Sequence, residues 1–237
     1  MKTLRNLSLL FTGLLVLSVI SILPEAALAA GPGISNNPTV VPSPEAPVRN
    51  IDTSGVPTDC SLIGFEGIPD NNAVGTYFGP VVVQFGSSWL GLIDADAGGS
   101  GNFANEPSPE TVAYFLDQTD ISITLTPAVR FVQFRYVAAA QSLPITVAAY
   151  DSLGNLISTA SGSVVGTDYD GANCAGDPTG SFCLWDQISL VSATTNIRSV
   201  KISGAVSNYF AIDNLYFCTG TTPTHGTTWG QLKSTYR

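Results

Sequence analysis

Between Cys60 and Cys218 the apolar and polar side chains alternate with a period of two. Ile121, Ile123 and Leu125 alternate with Ser122, Thr124 and Thr126, and Val132, Phe134 and Tyr136 alternate with Gln133 and Arg135. Val200 and Ile202 do the same with Ser199, Lys201 and Ser203. Such alternation places one face of a strand against a core and the other in water. Residues 62–66, 81–85, 89–93, 112–116, 145–150, 156–160 and 188–191 read as further strands, with Trp89 as core, and no amphipathic helix is evident. Residues 150–155 offer Asp151 at the start of a turn and Gly154 where a positive φ is needed, so they predict a hairpin. About ten short strands spaced by turns predict an all-β fold, an antiparallel sandwich of the jelly-roll type.

The strand expected over 208–217 does not keep its parity. Phe210 and Ile212 occupy one face, whereas Leu215 and Phe217 fall on the other, so the register changes around Asp213 and Asn214. A bulge there re-aims the Asp213 carboxylate. An acid inside an apolar strand needs a partner or a cation.

The flanks lack this periodicity. Lys2 and Arg5, an apolar run from Leu7 to Leu23, and small residues ending at Ala29 read as a signal peptide over 1–29, with an uncleaved anchor as the alternative. No later segment is apolar for long enough to span a bilayer. Residues 30–59, with frequent Pro, Asn, Ser and Gly, read as a linker, and 60–218 as one domain. Residues 219–237 read as a Thr-rich linker and a terminal segment. In that segment Thr228 and Gln231 have capping-box spacing, and Trp229, Leu232 and Tyr236 would share one face of a short helix. Such an end is either an attachment element or a frayed tail.

Composition narrows the partners. Removal of Lys2, Arg5 and Glu25 leaves seven basic and seventeen acidic side chains, a mature charge of −10, which disfavours nucleic acid and anionic lipid. Only 11% of the residues are charged, against about 25% in an average domain, so hydroxyls and loops keep the surface wet. Four cysteines in an exported chain predict two disulfides. Of the three pairings, Cys60 with Cys218 brackets the patterned region and Cys174 with Cys183 closes a stretch rich in Gly and Pro; these are the expected bonds. A zinc site is disfavoured because no Cys pair has knuckle spacing and the single His, His225, lies in the tail.

The segment from Ala211 to Phe217, Ala-Ile-Asp-Asn-Leu-Tyr-Phe, resembles the closing strand of jelly-roll modules in exported bacterial proteins, including PEP-CTERM proteins, and of MAM and galactose-binding-like domains. Gly64-Phe65-Glu66-Gly67, and Ala104 to Pro109 followed by Val112 to Phe115, fit the same pattern in the same order. The resemblance spans residues 60–218, while the PEP-CTERM sorting tail is lacking. In several such modules a calcium ion ties the first strand to the last, and the resemblance implies that role for Glu66 and Asp213. Calcium takes six to eight oxygen ligands, so carbonyls at strand ends complete such a site. The alternative makes Glu66 a solvated turn residue and has Asp213 capping local amides.

Other acidic clusters are weaker. Asp94, Asp96 and Gly99 copy the start of an EF-hand loop, but the bidentate Glu and flanking helices are missing, so a flexible loop is favoured. Asp168, Asp170 and Asp177 read as solvated. With no His in the domain there is no Ser-His-Asp or Cys-His constellation, and no phosphate or dinucleotide motif appears. The chain is therefore expected not to be an enzyme, although seventeen acids leave glycoside hydrolysis open. Trp185 and Tyr169, in an irregular stretch, are candidate sugar-stacking platforms, the alternative being that Trp185 packs against a disulfide. The expected role is extracellular or cell-surface recognition of a glycan by a calcium-stabilised, secreted module, with a structural matrix protein and a secreted glycoside hydrolase as alternatives.

Overall fold

The computed structural model describes residues 33–36, 39, 59–79, 82–139, 144–162, 174 and 180–220. The expected signal peptide, most of the expected linker, Asp168, Tyr169, Asp170, Asp177, His225 and the terminal segment 221–237 lie outside them.

Among the described residues there are eleven strands and no helix: β1 (Cys60–Ile63), β2 (Val83–Phe85), β3 (Trp89–Ile93), β4 (Thr111–Phe115), β5 (Ile123–Val129), β6 (Phe131–Ala138), β7 (Ile145–Tyr150), β8 (Leu156–Gly162), β9 (Asp186–Val191), β10 (Ile197–Ser203) and β11 (Phe210–Cys218). All pairings between them are antiparallel. One sheet runs β3-β4-β11-β6-β9, with β1 also on β11, and the other runs β2-β5-β10-β7-β8. Apart from the hairpin pairs β3-β4 and β7-β8, sequence neighbours fall in opposite sheets, as in a jelly roll. The inward positions of the alternating strands form one core, including Phe134, Phe210, Ile212, Leu215 and Phe217 from the first sheet and Ile123, Leu125, Val147 and Val200 from the second.

The hairpin between β7 and β8 is made as expected. Asp151 Oδ1 accepts the amides of Leu153 and Asn155, and Gly154 has φ +82°. Strand β1 begins and ends earlier than its apolar run suggests, because Phe65 adopts φ +62° and Gly67 φ +81°. The chain turns there, burying Phe65 and Ile68 and leaving Glu66 in a turn rather than in a strand.

In β11 the register shifts between Asp213 and Tyr216, as the broken parity predicts. The consequence for the apolar residues is opposite to the expectation. The extra residue, Asn214, sits at φ +48° and re-phases the strand, so Leu215 and Phe217 rejoin Phe210 and Ile212 on the core face.

A second apolar cluster covers part of the outer face of the first sheet. Leu90, Val112, Tyr114, Val137 and Ala211 project outward and are capped by Ile34, Phe103 and Phe182. Ile34 belongs to a stretch expected to be linker, but residues 33–36 are docked on the domain. Ile34 N–H donates to Asn208 O at 2.8 Å, and Asn102 N–H donates to Ile34 O at 2.7 Å. The Asn208 side chain binds the amide of Ser35 at 2.9 Å and its carbonyl at 3.3 Å.

Both expected disulfides form. Cys60 and Cys218 are direct partners in the β1–β11 ladder, and Cys174 is bonded to Cys183.

Candidate functional site

Strands β1 and β4 lie end to end along one edge of β11, β4 against Ala211 and Ile212, β1 against Leu215 to Cys218. The gap between them faces Asp213 and Asn214, and Ser108 fills it. Its amide donates to Asp213 Oδ2 and its hydroxyl reaches Oδ1, both at 2.7 Å, while the Asn214 amide donates to Oδ1 at 2.6 Å. Glu66 lies on the same seam, with Oε1 accepting the Thr111 amide at 3.2 Å. Burial pushes the fully buried Asp213 carboxyl up to about 7, with the nearby Glu66 charge adding to the rise and the Ser108 and Asn214 donors opposing it. Burial likewise raises Glu66, against the Thr111 amide.

The Ser108 hydroxyl is also 2.9 Å from the Gly64 carbonyl. A hydroxyl has one proton. When Asp213 is ionised, that proton goes to the carboxylate and the Gly64 carbonyl loses it; when Asp213 is protonated, the acid donates to Oγ and the hydroxyl serves Gly64. Two carboxylates, a carbonyl and a hydroxyl converge at this seam. All are hard oxygens of the kind calcium prefers, but donors from Ser108 and Asn214 already contact both Asp213 oxygens, and no group of three or more acidic, His or Cys side chains suited to a metal occurs among the described residues.

The loop over 94–101 is not an EF-hand start. It folds into tight turns, with Gly99 N–H donating to Asp94 O at 2.8 Å and Gly101 N–H to Ile93 O at 2.8 Å, and no helix flanks it.

The caps over the outer face stop short of its β11-β6-β9 end, leaving a cleft of about 480 Å³. Two cross-strand rows supply its floor residues Tyr216, Gln133, Arg135, Gln187 and Asn214. In one, Tyr216 of β11 pairs with Gln133 of β6, which pairs with Ser189 of β9; in the other, Arg135 of β6 lies between Gln187 of β9 and the Asp213-Asn214 bulge. The Ser189 hydroxyl donates to Gln133 Oε1 at 3.2 Å. Trp185 makes one wall, its indole N–H donating to Ala104 O at 2.9 Å, and Asn105 and Pro107 make the rim. Ala104 in turn packs with Cys174 and Cys183, so Trp185 is both anchored beside the disulfide and presented to the cleft.

Trp185 is thus the sequence candidate that the fold brings to a cleft, whereas Glu66 and Asp213 meet on the neighbouring seam. Asn214 links the two places. Gln133, Arg135 and Tyr216 were legible only as polar members of strands, and Gln187 only as the end of an irregular stretch, because which of them become neighbours depends on strand order. Among the described residues the cleft lining includes amides, aromatic rings and one cation.

No protein-family model matches the chain, and no curated protein sequence does. Among solved structures it is similar to a cleaved adhesin domain of Lys-gingipain from Porphyromonas gingivalis, at 11% identity over 71% of this chain and 95% of that one, with a TM-score of 0.34. It is also similar to TmCBM61 in complex with beta-1,4-galactotriose, at 15% identity over 59% and 84%, TM-score 0.28. A third is a GH87 alpha-1,3-glucanase catalytic domain in complex with tetrasaccharides, at 17% identity over 50% of this chain, TM-score 0.31; the chain spans about a quarter of the length of that glucanase chain. Likenesses at this level carry no argument about activity.

Proposed function

We propose that this chain is an exported, non-catalytic module of the galactose-binding-like type that binds a polysaccharide on the outer face of β11, β6 and β9. The observation that carries this reading is the uncapped strip itself. An aromatic ring anchored through its own N–H stands beside amide side chains and the Tyr216 phenol, and a sugar presents the matching surfaces, an apolar face for the ring and a rim of hydroxyls for the amides. Two disulfides suit export to an oxidising compartment, the cell surface or beyond it.

Calcium has a structural role in this reading. Glu66 and Asp213 would hold it, with carbonyl oxygen from the seam, and the ion would stabilise the ionised form of a carboxylate that burial otherwise penalises. The ion would also steady the Asn214 edge of the cleft.

Glycan-array screening of the processed protein in calcium, repeated with Trp185→Ala, tests the binding reading. A specific glycan signal that falls at least tenfold in the variant is expected. Absence of any signal favours a matrix protein without a small ligand, and turnover of the glycan favours a hydrolase. For calcium, the expected result is a rise in melting temperature on addition and a fall with EDTA; no change in either direction removes the ion from the account.

A further inference from the structure

We infer that the glycan bound in the cleft is acidic, a uronic-acid-containing polysaccharide whose carboxylate is taken by Arg135. The inference rests on the cleft being a glycan site and adds the chemistry of what it selects.

Arg135 sits in the middle of β6 and is exposed, with its strand neighbours on both sides lining the same cleft. The one ion pair among the described residues is Arg130 with Asp59, elsewhere in the domain, so Arg135 has no acidic partner there. Asp213 is its register partner across the ladder, but the Asp213 oxygens are occupied by Ser108 and the Asn214 amide. Among the described residues the cleft lining therefore has a guanidinium and no counter-charge.

That placement is unusual for this chain. It has nine basic against eighteen acidic residues, and its net charge of −9 repels anions from the surface at large. A guanidinium with no ion-pair partner among the described residues on a concave floor is a local reversal of that field, and its planar fork matches a carboxylate through two parallel hydrogen bonds. The surrounding groups suit the rest of a uronate ring. The Gln133, Gln187 and Asn214 amides can both donate to and accept from hydroxyls, and Trp185 offers a face for stacking. A neutral sugar would leave the guanidinium without a partner on desolvation, which costs affinity.

Calorimetric titration of the full processed chain, in calcium, with a short oligogalacturonate and with the same oligosaccharide after carboxyl reduction tests the assignment. The uronate is expected to bind at least tenfold more tightly, with a preference that shrinks as salt is raised. Arg135→Gln is expected to bring the two affinities together, chiefly by weakening the uronate. Equal affinities in the native protein, or a preference that survives in Arg135→Gln, overturns the inference but leaves the cleft a neutral-glycan site. Tighter binding of a sulfated oligosaccharide than of the uronate, lost in Arg135→Gln, overturns the carboxylate assignment in favour of sulfate. Failure of every oligosaccharide to bind, or binding indifferent to Trp185→Ala, overturns the cleft reading itself and this inference with it.

Discussion

Ser108 gives both its backbone amide and its side-chain hydroxyl to the Asp213 carboxylate, each across 2.7 Å, from 105 positions earlier in the chain. The contact closes the gap between β1 and β4 on the edge of β11. It also means that the protonation state of one buried acid is tied to how three segments are joined.

The pH dependence of stability follows from that acid. In calcium-free solution the folded-state Asp213 titrates near 7, above its ordinary value of 3.8. A raised carboxylate favours the folded state at low pH. Its contribution is complete below the unfolded value and is lost as pH rises through the folded one. Urea unfolding between pH 4 and pH 8 is expected to show a decline on the order of 4 kcal/mol at most, flattening above about pH 7. Asp213→Asn is expected to remove most of this decline, leaving the part that the raised Glu66 carboxyl contributes, and calcium to reverse it in the native protein. Stability that climbs over the same interval without calcium would contradict the assignment.

The docked segment at Gly33 to Asn36 predicts that a residue in apparent linker acts as core. Ile34 is fully buried against Phe103 and Phe182. Ile34→Ala is expected to cost about 2–4 kcal/mol in chemical denaturation, and Asn208→Ala, which removes both side-chain bonds to Ser35, about 1–3 kcal/mol. If both variants unfold with the native midpoint, the segment contributes nothing to stability.

The disulfide between Cys60 and Cys218 closes a loop with a sequence separation of 158, whereas Cys174 and Cys183 are nine apart. Restricting the unfolded chain scales with loop length. The Cys60→Ser, Cys218→Ser double variant is expected to lose about 3–5 kcal/mol, and the Cys174→Ser, Cys183→Ser variant less. The second pair should instead affect glycan binding, since Ala104 packs against it and anchors Trp185. Denaturant midpoints and titrations on the two variants separate these roles.

Period-two patterning was enough to read an antiparallel sandwich, a core Trp89, a hairpin at Asp151 and Gly154, and a register change at Asp213. Each is a local property: alternation reports burial on one face, and turn residues report φ. The expected consequence of the register change was wrong because parity counting cannot tell whether the bulge residue re-phases the strand, which depends on Asn214 adopting a left-handed conformation. The docking of Ile34 was hidden for a related reason. A single apolar residue among Gly, Ser and Asn has no period, and only the exposed outer apolar positions of β3 and β4 give it a place to bind.

By itself the sequence determined that the chain is built of antiparallel strands with one apolar face each, and it favoured the two disulfide pairs that form, since these follow from neighbours along the chain or from residue chemistry; the two acids of the seam came from the resemblance of the closing strand. Tertiary structure alone decided that β1 and β4 meet end to end around Asp213 and that the caps leave the β11-β6-β9 strip open. It alone decided that Trp185, Gln133, Arg135 and Tyr216 share that strip. Those relations depend on which strands pair, and strand order is set by how two sheets bury their apolar faces together, a property of the whole chain.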